Sequence, residues 1–294
     1  MKAGYVGLIG RPNAGKSTLL NHLLGQKISI TSRRPQTTRH RIHGIKTTDA
    51  GQAVYVDTPG LHASEKRAMN RYLNRTADNA LLGVDLIVWV VDSWSWTPDN
   101  ELILGKVKQA SCPVILAVNK VDQCEDKSRL LPFLEDAAAR FAFAEIVPIS
   151  ALKGTNLDAL EDKIMSLLPE GEAIYPDDQV TDRPMRFFAA EIIREKLIRS
   201  LGQEVPHALT VEIEQYKHEK GVIHIHAVIW VERDGQKTIV IGHRGEVLKK
   251  VGQRAREDLE KMLERKVYLN LWVKVKRGWS DSERALQRLG YSDS

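Results

Sequence analysis

A glycine-rich loop near the start of the chain constrains its fold more than any other feature. Residues 10–17 read Gly-Arg-Pro-Asn-Ala-Gly-Lys-Ser, a match to the P-loop pattern, and they lie between an apolar strand and a helical segment. The glycines let the backbone curl so that successive N–H groups point at phosphate oxygens, and the following helix adds its positive N-terminal end. The loop therefore predicts an α/β domain that binds a nucleotide by its phosphates.

Individual residues of this loop have predicted roles. We expect Lys16 to contact the β- and γ-phosphates and to act in catalysis, and the Ser17 hydroxyl to ligate Mg²⁺. The side-chain carbonyl of Asn13 either ligates a K⁺ ion beside the phosphates or stabilises the loop. The residues predicted to contact the nucleotide here are Gly10, Asn13, Ala14, Gly15, Lys16, Ser17 and Thr18.

Apolar strands alternate with helical patterns in the first part of the chain. Predicted strands are Tyr5–Gly10, Ala53–Asp57, Asp85–Asp92, Pro113–Asn119 and Glu145–Ile149, with Ile42–Thr47 as an antiparallel edge. Helices are expected after Gly15 and over Lys66–Leu82, Asn100–Lys108, Ser128–Phe143 and Leu157–Leu168. Continuous apolar strands separated by helices predict a mostly parallel sheet covered by helices on both faces.

A second motif, Asp-Thr-Pro-Gly at residues 57–60, ends the strand that begins near Ala53. A carboxylate at this position in a P-loop protein acts on Mg²⁺, so Asp57 is a predicted metal ligand. We expect the Gly60 N–H to sense the γ-phosphate. Leu61 follows, where many GTPases carry a glutamine that orients the attacking water, so slow intrinsic hydrolysis is expected.

The tetrapeptide Asn-Lys-Val-Asp at residues 119–122 follows another apolar strand. Guanine presents two donors, N1–H and the N2 amine, to a carboxylate such as Asp122, whereas adenine offers an acceptor there, so GTP is favoured over ATP. We expect Asn119 to brace the loop against the P-loop and the stem of Lys120 to cover the base. Ser150 and Ala151 are placed to offer the purine carbonyl a backbone N–H.

A polar stretch, Gln36–His40, lies between the P-loop and Asp57. A threonine in such a segment reaches Mg²⁺ when the γ-phosphate is present and releases it afterwards, which makes a switch. We favour Thr38 as that ligand, and Thr37 remains the alternative.

The pattern changes after a Pro- and acid-rich stretch. The predicted domains are residues 1–170, a linker at 171–184 and a second domain at 185–294. The second domain is predicted as helix Phe187–Leu201, strands Ala208–Gln215 and Val222–Val231, an apolar piece Thr238–Ile241, helices Glu246–Val251 and Gln253–Leu263, and strand Val267–Val275. This order predicts an α+β fold.

The second domain is also basic. From Arg183 onward there are 22 Lys+Arg against 16 Asp+Glu, whereas the rest of the chain has 21 against 22. The excess indicates either a polyanionic partner or a solvated basic face.

A Gly-x-x-Gly turn in this basic domain favours RNA as the partner. In a KH module such a turn clamps the backbone of about four single-stranded nucleotides. The predicted RNA contacts are Ile241, Gly242, His243, Arg244, Gly245, Lys249 and Lys250. Four apolar residues near this turn either line the RNA-binding groove or belong to the core: Ile239, Ile241, Val247 and Leu248. In the first domain, two tryptophans either mark a partner surface or pack internally: Trp94 and Trp96.

Other features bear on the compartment. Two cysteines, Cys112 and Cys124, fit no metal-ligand pattern, and a reduced cytoplasmic compartment is expected. No apolar run approaches the roughly 18–20 residues that span a bilayer. Tyr5–Gly10 already reads as a core strand, so no secretory leader is expected.

Together these residues closely resemble the Era family of bacterial GTPases across essentially the whole chain. The matching residues are Gly10–Ser17, Gln36–His40, Asp57–Gly60, Asn119–Asp122, Ile149–Ala151 and, in a type II KH order, Gly242–Gly245. The resemblance implies a monomeric GTPase with Mg²⁺ that binds small-subunit (16S-type) rRNA near its 3′ end and assists assembly of the 30S subunit. It also implies peripheral association with the cytoplasmic face of the inner membrane.

These expectations combine into the hypothesis of a nucleotide-gated RNA clamp. GTP and Mg²⁺ order the segments around Thr38 and Gly60 and alter the interface between domains, and hydrolysis releases the RNA-bound state. Two other readings are a membrane-surface switch whose basic domain binds anionic lipid, and an RNA-modifying or metabolic enzyme regulated by GTP.

Overall fold

The computed structural model describes residues 1–60, 67–92, 96–124, 128, 130–202 and 205–291. This part of the chain forms two compact units: the described residues up to 182 form the first, except for 67–69, which cluster with the residues from 183 onward in the second. None of its helices is both long and apolar enough to cross a membrane. The predictions for Leu61 and Trp94 fall outside the described residues.

The described strands of the first unit form one sheet. They are β1 (Lys2–Ile9), β2 (Ile42–Thr48), β3 (Gly51–Asp57), β4 (Leu86–Val91), β5 (Val114–Val118) and β6 (Glu145–Pro148). The order across the sheet is β2-β3-β1-β4-β5-β6, with β2 antiparallel to β3 and the other neighbours parallel. The predicted parallel sheet with an antiparallel edge is confirmed.

Helices alternate with these strands, as the sequence predicts. They are α1 (Lys16–Leu24), α2 (Ala68–Asn79), α3 (Pro98–Val107), α4 (Leu130–Arg140) and α5 (Leu157–Leu167). All of β3, β4 and β5 is buried, because helices cover both faces of a parallel sheet. The carboxyl ends of β1, β3, β4 and β5 consequently meet at one edge, which is where ligands bind in this architecture.

The segment predicted as a linker is bonded to the edge of the first unit. The side-chain oxygen of Gln52 accepts hydrogen bonds from the N–H groups of Ile174 and Tyr175, at 2.7 and 2.9 Å. The N–H of Ile45 in β2 donates to the Val180 carbonyl at 2.8 Å. These bonds satisfy part of the backbone at the sheet edge.

The second unit packs helices against one face of a smaller sheet. Its elements are α6 (Met185–Ser200), β7 (Leu209–Glu219), β8 (Val222–Val231), α7 (Asp234–Ile241), α8 (Glu246–Leu263), β9 (Lys266–Val275) and α9 (Glu283–Arg288). In the sheet, central β8 runs antiparallel to β7 and parallel to β9. Alternate apolar residues of the strands form a core with residues of α6 and α8, including Ile193, Ile225 and Leu259.

One prediction for this unit is wrong: the two helices expected from Glu246 to Leu263 are the single helix α8. The apolar piece Thr238–Ile241, for which the sequence predicts no helix or strand, is the last half of α7. Gly252 does not break α8: a helical glycine costs only about 1 kcal/mol, and burial of Val251 and Ala255 offsets it. The Gly-x-x-Gly turn therefore connects two helices.

Candidate functional site

The P-loop between β1 and α1 has a backbone that requires its glycines. Gly10 and Gly15 have φ of 146° and 105°, a region that side chains rarely adopt. A Cβ on Gly10 would lie 2.3 Å from the Val90 carbonyl oxygen, and one on Gly15 would lie 2.2 Å from Asn119 Nδ2. Neighbouring strand ends thus approach the loop so closely that only glycine fits.

Lys16 lies inside this loop. Its Nζ donates to the carbonyl oxygens of Gly10 and Arg11, at 3.0 Å each. Burial lowers the pKa of Lys16 to about 8, although the charges of Asp57 and Asp92 act in the opposite direction. The loop thus positions a desolvated amine where phosphate oxygens would stabilise its charged form.

Four oxygen-bearing side chains, those of Ser17, Ser29, Thr38 and Asp57, converge beside Lys16. Ser17 Oγ donates to Asp57 Oδ2 at 2.8 Å and lies 2.8 Å from Thr38 Oγ1. Ser29 Oγ also donates to Asp57 Oδ2 at 2.8 Å. The buried Asp57 Oδ1 has no hydrogen-bond partner among the described residues, and burial raises the pKa of this carboxyl group. A carboxylate and two hydroxyls in contact form an oxygen donor set that suits Mg²⁺.

The hydrogen bonds of Thr37 and Thr38, the two candidate Mg²⁺ ligands of the polar stretch, differ. Thr37 Oγ1 lies 2.6 Å from Ser32 Oγ and donates to the Arg34 carbonyl at 2.7 Å. Its hydroxyl is therefore bonded within its own loop, whereas the hydroxyl of Thr38 lies against Ser17.

Asn119 joins three segments at the base end of the site. Its Nδ2 donates to the Ala14 carbonyl at 2.8 Å, and its Oδ1 accepts from the N–H groups of Lys120 and Ala151, at 2.8 and 2.9 Å. The brace expected from the sequence is present. Ser150 Oγ donates to Asp122 Oδ1 at 2.5 Å, which orients the carboxylate predicted to read guanine.

Asp92, directly after β4, is a site residue that sequence reasoning missed. Its two oxygens accept from Arg11 and from Lys120 Nζ, both at 2.7 Å. Burial opposes ionisation, but the hydrogen bonds and charges of Lys120 and Arg11 hold the pKa of Asp92 below its ordinary value. Asp92 thus ties the P-loop to the lysine predicted to cover the base. The sequence signal that could have identified Asp92 is an acidic residue directly after β4, the strand beside β1.

The remaining predicted residues of the first unit also lie around the P-loop. A Cβ on Gly60 would lie 2.6 Å from the Pro12 backbone nitrogen, so Gly60 packs directly on the loop. Asn13 Nδ2 donates to the Arg33 carbonyl at 2.9 Å, which fixes the orientation of its amide. Trp96 packs edge-on against buried Trp89, with ring centroids 5.4 Å apart, so it is an internal residue rather than a partner surface.

The Gly-x-x-Gly turn of the second unit has a different character. Gly242 and Gly245 have φ of 72° and 82°, and the intervening His243 and Arg244 are exposed. A Cβ on Gly242 would lie 2.4 Å from Val247 Cγ2, whereas one on Gly245 would meet nothing within 4 Å. The turn presents cations and backbone at the start of α8, where Lys249 and Lys250 are also exposed.

The apolar candidates for the groove divide in two. Ile241, Val247 and Leu248 are partly buried and pack against the core. Ile239 is 51% exposed and lies on the surface of α7.

Comparison with known proteins agrees with both units. A family model described as 50S ribosome-binding GTPase matches residues 5–120, and one described as KH domain matches residues 204–280. The chain is 60% identical to the GTPase Era of Ectopseudomonas mendocina, over 99% of this chain and 98% of that protein. It is 58% identical to the GTPase Era of Pseudomonas aeruginosa strain LESB58, over 99% and 96%.

Two solved structures extend this similarity to the fold of the whole chain. One is a variant of Aquifex aeolicus Era bound to GDP and AlF₄⁻, with a TM-score of 0.96 and 40% identity, covering 99% of this chain and 100% of that one. The other is Era with MgGDPNP and nucleotides 1506–1542 of 16S ribosomal RNA, with a TM-score of 0.96 and 40% identity, covering 99% of each chain.

Proposed function

The chain belongs to the Era family of GTPases, and on that premise we propose that it binds small-subunit ribosomal RNA near its 3′ end in a GTP-dependent manner and assists assembly of the 30S subunit. It acts as a monomer in the cytoplasm. One observation carries the proposal: a braced GTP site and an exposed Gly-x-x-Gly turn occur in one chain, matched along its length by a relative solved with both a GTP analogue and that RNA.

The first unit binds GTP and hydrolyses it to GDP and phosphate. Backbone N–H groups of Gly10 and of residues 13–18 cradle the phosphates, and Lys16 contacts the β- and γ-phosphates. Ser17, Thr38 and Asp57 would hold Mg²⁺, which supplies positive charge to the phosphate oxygens when bound.

The base is read at the other end of the site. Asp122, oriented by Ser150, accepts from guanine N1–H and N2–H. The Ala151 N–H is bonded to Asn119 Oδ1 and would have to share or leave this bond to donate to the purine carbonyl. The stem of Lys120 covers the base while its ammonium remains on Asp92. ATP would leave the Asp122 carboxylate facing an acceptor, which is costly in a partly buried site.

Hydrolysis removes the γ-phosphate and so releases the contacts that depend on it. The Gly60 N–H would sense the γ-phosphate, and Thr38 would help to hold Mg²⁺ while the γ-phosphate is present. Since Leu61 has no polar group, intrinsic hydrolysis is slow until RNA, a partner or a K⁺ ion assists. Asn13 either ligates that K⁺ through Oδ1 or only braces the Arg33 carbonyl. If the rate of GTP hydrolysis is the same in K⁺ and Na⁺ buffers, the proposed role of K⁺ at Asn13 is excluded.

The second unit clamps RNA at the turn between α7 and α8. The backbone around Gly242 and Gly245 approaches the phosphates, and His243 and Arg244 flank them. Ile241 lies at the apolar edge of the groove, and Lys249 and Lys250 extend the positive surface along α8. The match to a KH domain favours RNA over anionic lipid as the main ligand of this unit. A peripheral contact with the inner membrane remains a secondary proposal.

The proposal is tested by the sequence preference of RNA binding. An RNA corresponding to nucleotides 1506–1542 and a shuffled RNA of equal length would be titrated against the GTP-analogue form of the protein. We expect the natural sequence to bind at least about 10-fold more tightly, because bases bound in the groove beside the Gly-x-x-Gly turn are read by hydrogen bonds. Equal affinity for the two RNAs would leave only non-specific charge attraction and would reject the proposal.

A further inference from the structure

The sheet of the second unit has one face covered by helices and a second face with a different composition. Side chains alternate between the two faces along each strand. Apolar residues such as Ile225 and Val273 face the helices and belong to the core. On the other face, the register of β8 and β9 places His224 opposite Tyr268 and Trp230 opposite Lys274.

This second face is open along β9, whereas Val228 and Thr210 on the same face are buried. Tyr268 is 51% exposed and Trp272 is 55% exposed, although both lie within the regular strand β9. The rings of His224 and His226 lie beside Tyr268, with centroid distances of 5.4 and 6.1 Å. The strand therefore holds two large flat side chains in fixed positions on the surface, four residues apart.

Lysines flank the aromatic side chains. Lys274 Nζ and Lys276 Nζ each lie 5.7 Å from the Trp230 ring centroid, a cation–π distance. Trp230 is held in place because its Nε1 donates to Glu212 at 2.8 Å. Glu214 pairs with Lys274 at 2.9 Å, so the face also carries acidic groups.

We propose that this open sheet face is a second RNA-contact surface, on which unpaired bases stack on Tyr268 and Trp272 while the phosphate backbone passes Lys274 and Lys276. The inference rests on the proposed RNA-binding function and extends it. Sheets that expose aromatic residues among cations bind single-stranded nucleic acid in this way, since every base offers a π-face.

The chemistry of the face favours a nucleic-acid strand over other partners. The turn between α7 and α8 accommodates about four nucleotides, so a longer RNA has bases left for a second surface. An anionic bilayer would be repelled by Glu212 and Glu214 over a broad area, whereas a single strand contacts the face only along a narrow path. Rigid aromatic residues with adjacent lysines match that path.

The test compares a short and a long RNA from the 3′ segment, of about 6 and about 16 nucleotides, with the GTP-analogue form of the full chain. Tyr268→Ala and Trp272→Ala are the variants, and Asn270→Ala, between them on the same face, is the matched control. We expect each aromatic variant to lower affinity for the long RNA by about 10-fold and to leave the short RNA unaffected. Trp272→Phe should restore most of the loss, and Asn270→Ala should bind like the wild type.

Several outcomes would overturn the inference. If both aromatic variants bind the long RNA as tightly as the wild type, the sheet face does not bind RNA. If they bind both RNAs more weakly by the same factor, the substitutions have damaged the fold or the groove beside the Gly-x-x-Gly turn. Loss of binding to phosphatidylglycerol vesicles with RNA affinity retained would assign the face to lipid. If the wild type binds neither RNA, the proposed function fails and this inference fails with it.

Discussion

In the first unit the centre of the nucleotide site, at Lys16, Asp57 and Asn119, is buried and hydrogen-bonded, whereas the residues proposed to contact RNA in the second unit are mostly exposed. Asn13 and Asp122 of the nucleotide site are exposed as well. Asn119 is 3% exposed and joins three segments, and Asp57 is completely buried between Ser17 and Ser29. His243 and Arg244, in contrast, stand on a short turn in solvent.

This difference teaches how each site will respond to change. In a shared buried network the loss of one group leaves its partners unsatisfied, so effects are large and not additive. Exposed cations act almost independently, and each contributes a modest, salt-dependent amount.

Asp57→Asn should produce the largest effect. The change removes the charge of a proposed Mg²⁺ ligand, and we expect GTP hydrolysis to fall on the order of 10³-fold. Ser29→Ala is the matched control, since Ser29 bonds the same carboxylate oxygen without being a proposed ligand. It should cost about 10-fold or less. Single-turnover hydrolysis at saturating Mg²⁺ measures both, and similar losses would contradict the assignment of Asp57 as the ligand.

Asp122→Asn should weaken GTP binding on the order of 10²-fold, because the carboxylate that accepts two hydrogen bonds is lost. The amide of the new side chain can donate to the 2-carbonyl of xanthine, so xanthosine triphosphate should become the preferred ligand. Exposed Asp162→Asn controls for the loss of charge in the same unit. If the preference for GTP persists in the Asp122 variant, the base is read by other groups.

Gly242→Ala and Gly245→Ala should separate the RNA site from the nucleotide site. Both positions have positive φ, but only at Gly242 would the added Cβ meet Val247. We expect RNA affinity to fall about 10-fold for Gly242→Ala and about 3-fold for Gly245→Ala, the latter from the left-handed backbone alone. GTP affinity, measured in parallel, should remain unchanged in both. Equal losses in RNA affinity would show that the contact with Val247 has no role.

Lys249→Ala should have the smallest effect, a loss of RNA affinity of about 2-fold at moderate salt. The slope of log affinity against log salt should decrease by about 0.7 for a contact to single-stranded RNA. Titrations at several salt concentrations measure the slope. An unchanged slope would place Lys249 away from the phosphates.

The same contrast explains how much of the molecule could be predicted from sequence. The P-loop and Asn-Lys-Val-Asp motifs demand fixed residue types at fixed spacing, so the sequence predicts that Asn119 braces its loop against the P-loop, and the structure supplies the partner, the Ala14 carbonyl. The sequence favours Thr38 over Thr37 as the Mg²⁺ ligand, and the contact of the Thr38 hydroxyl with Ser17 supports that proposal, but the contact depends on the path of a loop that sequence does not give. Asp92 was missed because an acidic residue directly after a strand is common, and nothing in the local sequence marks this one as part of the site.

In the second unit tertiary context overrode local pattern. The residues Thr-Ile-Val-Ile at 238–241 favour a strand by intrinsic preference, yet packing of Val240 into the core makes them helical. Gly252 suggested a break between helices, but it lies where α8 approaches Leu271 of β9. The alternation along β9 was evident in the sequence, whereas the face that helices leave open was not.

Coupling between the two sites is the central claim, and the RNA affinity of the two nucleotide states tests it most directly. Binding of the 3′-end RNA would be measured for wild type and for Gly242→Asp/Gly245→Asp, each loaded with a non-hydrolysable GTP analogue or with GDP. We predict that the wild type binds at least about 10-fold more tightly in the GTP-analogue form, and that the folded variant fails in both. Equal affinity of the wild type in the two states would contradict the account, because a ligand shifts only those equilibria whose states it distinguishes.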